Sequence, residues 1–254
     1  MSNRIEVEQK FFCKNIQELI KLIKIMNFKE LDVVNEIDEY FTDIQSEYIK
    51  NRTCLRIRKT NNKQMEMTFK GRSINFTGCY TKTESNINID ISEYNTLKNM
   101  LFSLGFYSYC TVDKIRKEYS KLENNIEYNI MIDEIKNIGY FVEFEFFVEE
   151  ENKKNLENEL KNFIGLFNNI EFEEANLPYR DFIAKYHFDV IKNKYDLKTI
   201  YYNTKDNLKL KLIEQLKEKK INVLEHMDKN LDNNTLLIND DIDLQILLYL
   251  VNWL

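Results

Sequence analysis

Proline, glycine and histidine are scarce in this chain of 254 residues. One proline and five glycines argue against a linker-rich or disordered protein. The two histidines, His187 and His226, both lie in the last third of the chain, and we expect both at the surface. Any chemistry in the first two thirds must therefore use carboxylate, lysine, arginine and tyrosine side chains.

Paired cysteines, long apolar runs and excess positive charge are also missing. None of the four cysteines forms a C-x-x-C pair, so neither a zinc site nor a disulfide framework is predicted. No apolar run reaches the roughly 18 residues that span a bilayer, and the first ten residues are too charged for a secretory signal. The net charge of −6 argues against general nucleic-acid binding. We therefore expect a cytoplasmic protein with neither a membrane nor a nucleic-acid partner.

Four predicted strands each carry two like-charged side chains on one face. Alternate residues of a strand point to the same side, and the opposite sides of these strands are mostly apolar. The pairs are Glu6 and Glu8, Arg56 and Arg58, Lys114 and Arg116, and Glu143 and Glu145. A sheet with one solvated face would also alternate in this way. Carboxylates on one strand and cations on the next, however, favour a cavity that holds a metal ion and a polyanion together.

Helical periodicity predicts helices over residues 15–27, 92–105 and 152–167, and a short helix that begins at Pro178. Beyond residue 186 the same spacing recurs over 206–221 and 240–254. We therefore predict one domain over residues 1–186 and a helical C-terminal extension over residues 187–254. The last helix is apolar enough to require burial, against the first domain, a second copy of the chain or another protein.

The charged motifs, taken in order along residues 1–186, resemble those of the CYTH superfamily, the triphosphate tunnel metalloenzymes. Glu6, Glu8 and Lys10 match its N-terminal E-x-E-x-K strand. Later motifs are matched in order by Arg56 and Arg58 (L-R-x-R), Lys70 with Gly71, Glu84, Lys114 and Arg116 (K-x-R), Asp133, and Glu143 and Glu145 (E-x-E). The sequence departs from the pattern at Thr42, which separates Phe41 from Asp43, and in the long loop after Lys70.

The resemblance implies an α+β fold in which about eight antiparallel strands close into a barrel around a triphosphate tunnel, with helices on the outside. The residues implied to bind substrate phosphates are Lys10, Arg56, Arg58, Lys70, Lys114 and Arg116. Those implied to hold Mg²⁺ or Mn²⁺ are Glu6, Glu8, Glu84, Asp133, Glu143 and Glu145. Lys10, Glu8 and Glu143 are the implied catalytic residues.

Three functions remain compatible with this resemblance. The first is metal-dependent hydrolysis of inorganic tripolyphosphate, thiamine triphosphate or a nucleoside triphosphate. The second is that of a class IV adenylate cyclase, which converts ATP to cyclic AMP and pyrophosphate with the same phosphate clamp and metal ions. The third is a sensor that binds nucleotides or polyphosphate without turnover. Loss of a metal-binding glutamate would indicate a sensor, and none is missing.

Overall fold

The structure is a computed structural model that describes residues 4–72, 74–76, 79–81, 84–124, 126–136, 138–149, 156–175, 177–227 and 230–254. Residues 4–6, 74–76, 79–81 and 148–149 are described by their backbone. The helices are α1 (Ile16–Ile25), α2 (Glu47–Lys50), α3 (Tyr94–Ser103), α4 (Leu156–Gly165), α5 (Tyr179–Lys194), α6 (Asn207–Glu218) and α7 (Leu244–Trp253). The first eight strands are β1 (Arg4–Cys13), β2 (Lys29–Asp43), β3 (Cys54–Thr60), β4 (Gln64–Lys70), β5 (Ile74–Phe76), β6 (Cys79–Thr81), β7 (Glu84–Ile89) and β8 (Phe106–Glu123). The other six are β9 (Ile126–Ile135), β10 (Gly139–Glu149), β11 (Phe172–Glu174), β12 (Asp196–Tyr202), β13 (Asn222–Glu225) and β14 (Thr235–Ile238).

Nine strands form one large sheet in the order β11-β1-β10-β9-β8-β2-β3-β4-β7. The pairs β1–β10, β10–β9, β9–β8 and β4–β7 are antiparallel, and β5 and β6 form a separate hairpin. The α+β class is thus confirmed. Among the described residues the sheet ends at β11 and β7 without closing, so the predicted closed barrel is not confirmed.

The turn between β3 and β4 shows how local sequence sets the sheet. Asn61 and Asn62 both adopt positive φ values, 52° and 51°, as in the tight turns that connect adjacent antiparallel strands. Asparagine tolerates this left-handed conformation better than most residues. These two residues form the turn, and β3 and β4 are neighbours in the sheet.

The chain divides into two compact units that are interleaved along the sequence. The first contains Met1–Asp38, Ile57–Ile91 and Val112–Asn176, and the second contains Glu39–Arg56, Ser92–Thr111 and Leu177–Leu254. In the first unit, the hydrophobic core includes Leu19 of α1, Phe163 of α4 and Phe144 of β10. Phe144 points to the side of β10 opposite Glu143 and Glu145, because side chains alternate along the strand. The charged face of the sheet is therefore the one turned away from this core.

The second unit corrects the prediction of a purely helical C-terminal extension. Strands β12, β13 and β14 form a parallel sheet in the order β13-β12-β14, and helices α6 and α7 follow β12 and β14 in the chain. The helix after Pro178 is also longer than predicted, with 16 residues. Strands of four residues, as in β13 and β14, are too short to produce a clear alternating pattern.

Helix α7 carries the apolar surface that the sequence predicts must be buried. Leu247, Leu248 and Leu250 are at most 1% exposed, and the helix packs against α5 and α6 within the second unit. Its surface is therefore covered inside its own unit. Within the described ranges, no helix is both long enough and apolar enough to cross a membrane.

Candidate active site

Eight charged side chains of the first unit form one continuous series of ion pairs in which positive and negative groups alternate. In order of contact they are Lys10, Glu143, Arg116, Asp133, Lys114, Glu36, Arg58 and Asp38. They belong to β1, β10, β9, β8, β2 and β3, which are consecutive strands of the sheet. We call this series the ionic chain. Its four cations and four carboxylates give it no formal net charge.

The first half of the ionic chain is centred on Arg116. Its Nε lies 2.6 Å from Oδ1 of Asp133, and its Nη2 lies 2.5 Å from Oδ2 of the same carboxylate. Nη2 is also 2.7 Å from Oε2 of Glu143. Lys10 completes this half, with its Nζ 3.2 Å from Oε1 of Glu143. The strand register explains these contacts, because Arg116 is paired with Asp133 and Lys10 with Glu143 across adjacent strands.

The second half joins Lys114 to Arg58 through a carboxylate. Lys114 Nζ lies 3.1 Å from both Oδ2 of Asp133 and Oε2 of Glu36. Arg58 donates from Nη1 to Oε1 of Glu36 at 2.8 Å, and from Nε and Nη2 to the two oxygens of Asp38 at 2.6 and 2.7 Å. Asp133, Asp38 and Lys114 are almost completely buried. Charged groups that are buried this completely are stable only because each is paired with a group of opposite charge.

Electrostatics keep the central groups ionised. Burial alone would lower the pKa of Arg116, but Asp133 and Glu143 outweigh burial and raise that pKa well above its ordinary value. Burial alone would raise the pKa of Glu143, but Arg116 and Lys10 outweigh it and lower the pKa. At neutral pH these groups are therefore charged, and an anionic ligand would find cations already in position.

Two of the predicted metal ligands, Glu8 and Glu145, lie directly opposite each other across the β1–β10 pair. Glu145 also accepts a hydrogen bond of 3.3 Å from the amide of Asn129. Mg²⁺ binds proteins through one or two carboxylates and takes its other ligands from water and phosphate, so this facing pair suits a hard divalent cation. The side chain of Glu6 lies outside the described part of the chain.

Among the side chains that the structure describes, the other predicted metal ligands do not form a cluster with this pair. Asp133 and Glu143 are both bound to Arg116. Glu84 is exposed in the edge strand β7 and forms an ion pair of 2.7 Å with Lys70. In the residues that the structure describes, no three histidine, cysteine, aspartate or glutamate side chains converge as a preformed metal site would. Bound phosphate or water would have to complete the coordination of an ion at Glu8 and Glu145.

The predicted phosphate-binding residues divide into two sets. Lys10, Lys114, Arg116 and Arg58 are brought together in the ionic chain. Lys70 is paired with Glu84 and about one third exposed. Arg56 is 8% exposed and belongs to the second compact unit, although it lies two residues before Arg58 in β3.

The sequence reasoning missed Glu36 and Asp38, which supply two of the four carboxylates of the ionic chain. Both lie in β2 and, two residues apart, share one face of the strand. This spacing is the same as that of Glu6 and Glu8, so the pattern could have identified them.

Comparison with known proteins identifies the first part of the chain. A family model described as the CYTH domain matches residues 4–173. A protein of Methanocaldococcus jannaschii, provisionally named an adenylate cyclase, is 28% identical over 150 residues, which cover 59% of this chain and 81% of that protein.

Solved structures show the same fold. A protein from Pyrococcus horikoshii OT3 superposes with a TM-score of 0.55 and 24% identity, over 71% of this chain and 99% of its own. A Hippeastrum protein, provisionally assigned as an adenylyl cyclase and described as having a dominant triphosphatase activity, superposes with a TM-score of 0.54 and 15% identity. That superposition covers 71% of this chain and 96% of the Hippeastrum chain.

Proposed function

The chain belongs to the CYTH family, and on that premise we propose that it is a metal-dependent triphosphatase. The observation that carries the proposal is the ionic chain. It spans six consecutive strands and brings together four cations from β1, β8 and β3. An array of lysine and arginine side chains suits a chain of phosphates, since each phosphate carries charge on several oxygens. The substrate would be inorganic tripolyphosphate, thiamine triphosphate or a nucleoside triphosphate.

The cations of the ionic chain would bind and orient the phosphates. Arg58 and Arg116 each present a planar guanidinium group that can make two parallel hydrogen bonds to a phosphate. Lys114 and Lys10 offer point charges on either side of Arg116, and Lys70 is the further cation of the first unit in the proposed clamp. Arg56 stays a predicted phosphate-binding residue. The carboxylates that now neutralise these groups hold them in place before substrate arrives, which reduces the entropy lost on binding.

The carboxylates opposite each other on β1 and β10 would hold the metal ion. Glu8 and Glu145 are the facing pair, and bound phosphate and water would complete the coordination. Glu6, Glu143, Asp133 and Glu84 stay predicted metal ligands. When bound, Mg²⁺ or Mn²⁺ would neutralise part of the phosphate charge and lower the pKa of an attacking water. Lys10, which lies 3.2 Å from Glu143, would contact the phosphate or position the nucleophile.

The closed tunnel is part of this proposal. The β5–β6 hairpin lies between β4 and β7 in the chain, at one end of the sheet order, whereas β1 lies near the other end. Cα atoms of β6 nevertheless come within 8 Å of β1. This proximity supports a sheet that curls round its charged face, with the hairpin near the junction. We also propose a cytoplasmic location.

A class IV adenylate cyclase is the second candidate, and the M. jannaschii relative favours it because that protein is provisionally named an adenylate cyclase. In that reaction the ribose 3′-hydroxyl of ATP attacks the α-phosphorus and releases pyrophosphate. The same cations would bind the phosphates, so the clamp alone does not separate the two reactions.

One product analysis tests these functions together. The purified protein is incubated with Mg²⁺ or Mn²⁺ and with tripolyphosphate, thiamine triphosphate or ATP, and the products are separated by anion-exchange chromatography. Orthophosphate release identifies a triphosphatase, and cyclic AMP with pyrophosphate identifies a cyclase. Binding without turnover under either metal would contradict both and identify a sensor.

A matched pair of variants connects the activity to the proposed site. Glu8→Gln removes one carboxylate of the facing pair, and turnover should disappear. Glu134→Gln changes an exposed glutamate of β9 outside the proposed site and should retain full activity.

A further inference from the structure

A single carboxylate, that of Glu36, joins two cations of the proposed phosphate clamp. Its Oε1 accepts from Nη1 of Arg58 at 2.8 Å, and its Oε2 lies 3.1 Å from Nζ of Lys114. Glu36 lies in β2, between the strands that carry the two cations, β3 and β8. Its two oxygens therefore occupy positions where two oxygens of one phosphate group would make the same contacts.

Asp38 binds the same arginine differently. It accepts from both Nε and Nη2 of Arg58, at 2.6 and 2.7 Å, and is only 1% exposed. This two-point contact fixes the plane of the guanidinium group, whereas Glu36 contacts only the remaining nitrogen. Arg58 can therefore exchange its Glu36 contact for a phosphate contact without losing its orientation.

The contact between Glu36 and Lys114 is the weaker of the two Glu36 contacts. Within the described part of the chain, Oε2 of Glu36 is buried and makes no hydrogen bond, so its approach to Lys114 is an ion pair alone. A buried oxygen that lacks a hydrogen bond is unfavourable. A phosphate oxygen that made a full hydrogen bond to Lys114 would therefore displace Oε2 of Glu36 with a smaller loss of free energy.

We propose that Glu36 is an internal competitor for phosphate, which occupies the clamp in the absence of substrate, and that Asp38 is the positioning residue that holds Arg58 for either occupant. The inference rests on the proposed function, since it assumes that Arg58 and Lys114 bind phosphate. Displacing Glu36 costs every phosphate the same free energy. A triphosphate can offset that cost with contacts along the rest of the ionic chain, whereas a single orthophosphate has few other contacts and would bind weakly.

Isothermal titration calorimetry with tripolyphosphate, in buffer containing a chelator so that metal-dependent turnover does not occur, tests the proposal. We expect Glu36→Gln to bind tripolyphosphate about tenfold more tightly than the natural protein, the equivalent of one charge-assisted hydrogen bond. Its affinity for orthophosphate should rise by a similar factor, because both ligands displace the same carboxylate. Equal or weaker binding by Glu36→Gln would overturn the proposal.

Two further variants show whether a gain in affinity comes from the loss of the competing Glu36 carboxylate or only from the change in net charge. Glu39→Gln removes a carboxylate of the same strand that is buried to the same degree, 6% against 7% exposed, and should leave the affinity unchanged. Asp38→Asn also removes one negative charge, but it releases Arg58, so we expect no gain in affinity. If Asp38→Asn or Glu39→Gln tightened binding as much as Glu36→Gln, the effect would be one of net charge, and the proposal would fail.

The outcome also distinguishes this proposal from the proposed function. Binding by the natural protein without a gain in Glu36→Gln overturns the competitor alone. Absence of binding by both proteins overturns the competitor and the phosphate clamp together. Circular dichroism verifies that each variant is folded. If Glu36→Gln does not fold, Glu36→Asp replaces it, because a shorter carboxylate cannot reach both cations and should give a smaller gain, whose absence would overturn the proposal.

Discussion

Glu8 and Glu145 lie directly opposite each other across the antiparallel β1–β10 pair. Like charges in this arrangement repel each other. Two residue pairs further along the same strands, Lys10 lies opposite Glu143 and forms an ion pair of 3.2 Å with it. A divalent cation between the two glutamates would remove the repulsion and would bring positive charge next to the phosphate clamp.

Metal binding should therefore stabilise the folded protein, and the facing carboxylates should be responsible. A ligand that binds only the folded state adds about 2.7 kcal/mol at a concentration 100 times its Kd. We expect Mg²⁺ or Mn²⁺ to raise the Tm of the natural protein in differential scanning fluorimetry, and Glu145→Gln to lose most of that shift. Glu134→Gln is the control and should keep it. Equal shifts in all three proteins would show that the ion binds elsewhere.

Arg116 should be essential for stability because it neutralises two buried carboxylates at once. Its replacement by methionine leaves Asp133, which is 0% exposed, and Glu143 with one lysine contact each. Removal of one partner from a buried ion pair costs about 3–5 kcal/mol. We expect Arg116→Met to lower the free energy of unfolding by about that amount in urea titrations followed by circular dichroism. Arg72→Met, at an exposed position, should change it by less than about 0.5 kcal/mol.

Glu39 should contribute stability that disappears in acid. Burial alone would raise its pKa, but hydrogen bonds from Lys98, Tyr94 and Ser108 outweigh burial and lower it below the ordinary value of 4.5. Tyr94 and Lys98 donate to its two oxygens at 2.6 and 2.8 Å. Because the folded-state pKa is lowered, the contribution is complete above 4.5 and is lost as the pH falls through the lower folded-state value.

The measurement for Glu39 compares the natural protein with Glu39→Gln in urea titrations across pH. We expect the natural protein to be more stable by about 1.5 kcal/mol near pH 7, the typical value of a hydrogen bond to a charged group. That difference should shrink below about pH 4.5. A difference that stays constant down to pH 3 would show that the charge of Glu39 contributes nothing.

Helix α7 should stabilise the second unit through its leucines. Leu247 is 0% exposed, whereas Leu254, just beyond the helix, is 37% exposed. A buried leucine replaced by alanine costs about 2–5 kcal/mol, because apolar contacts are lost and a cavity remains. We therefore expect Leu247→Ala to lower the thermal stability strongly and Leu254→Ala to have little effect. Similar small effects in scanning calorimetry would mean that α7 packs loosely.

Much of the ionic chain could be predicted because its spacing is a local property. Alternation in a strand puts residues such as Lys114 and Arg116 on one face whatever the rest of the chain does. The strands β1, β3, β8 and β10 were predicted in this way, with their charged faces. Glu36 and Asp38 follow the same rule, but they were not among the predicted site residues.

Partner choice could not be predicted from spacing. Arg116 binds Asp133 and Glu143, rather than one of the other predicted acidic residues, because β8, β9 and β10 are neighbours in a particular register. The resemblance suggested Asp133 as a metal ligand, yet the structure places it between Lys114 and Arg116. The metal role of Asp133 stays a prediction.

The sequence by itself determined which residues carry charge on one face of each strand, where α1, α6 and α7 lie, and that the last helix must be buried. Side chains return to the same face every two residues in a strand and every 3.6 residues in a helix. These features therefore depend only on residues that are close together in the chain. Tertiary structure alone decided the strand order and register, and therefore which carboxylate neutralises which cation. It also decided that two four-residue strands, β13 and β14, pair with the seven-residue β12 in a parallel sheet after α5, since hydrogen bonds between distant segments stabilise such short strands.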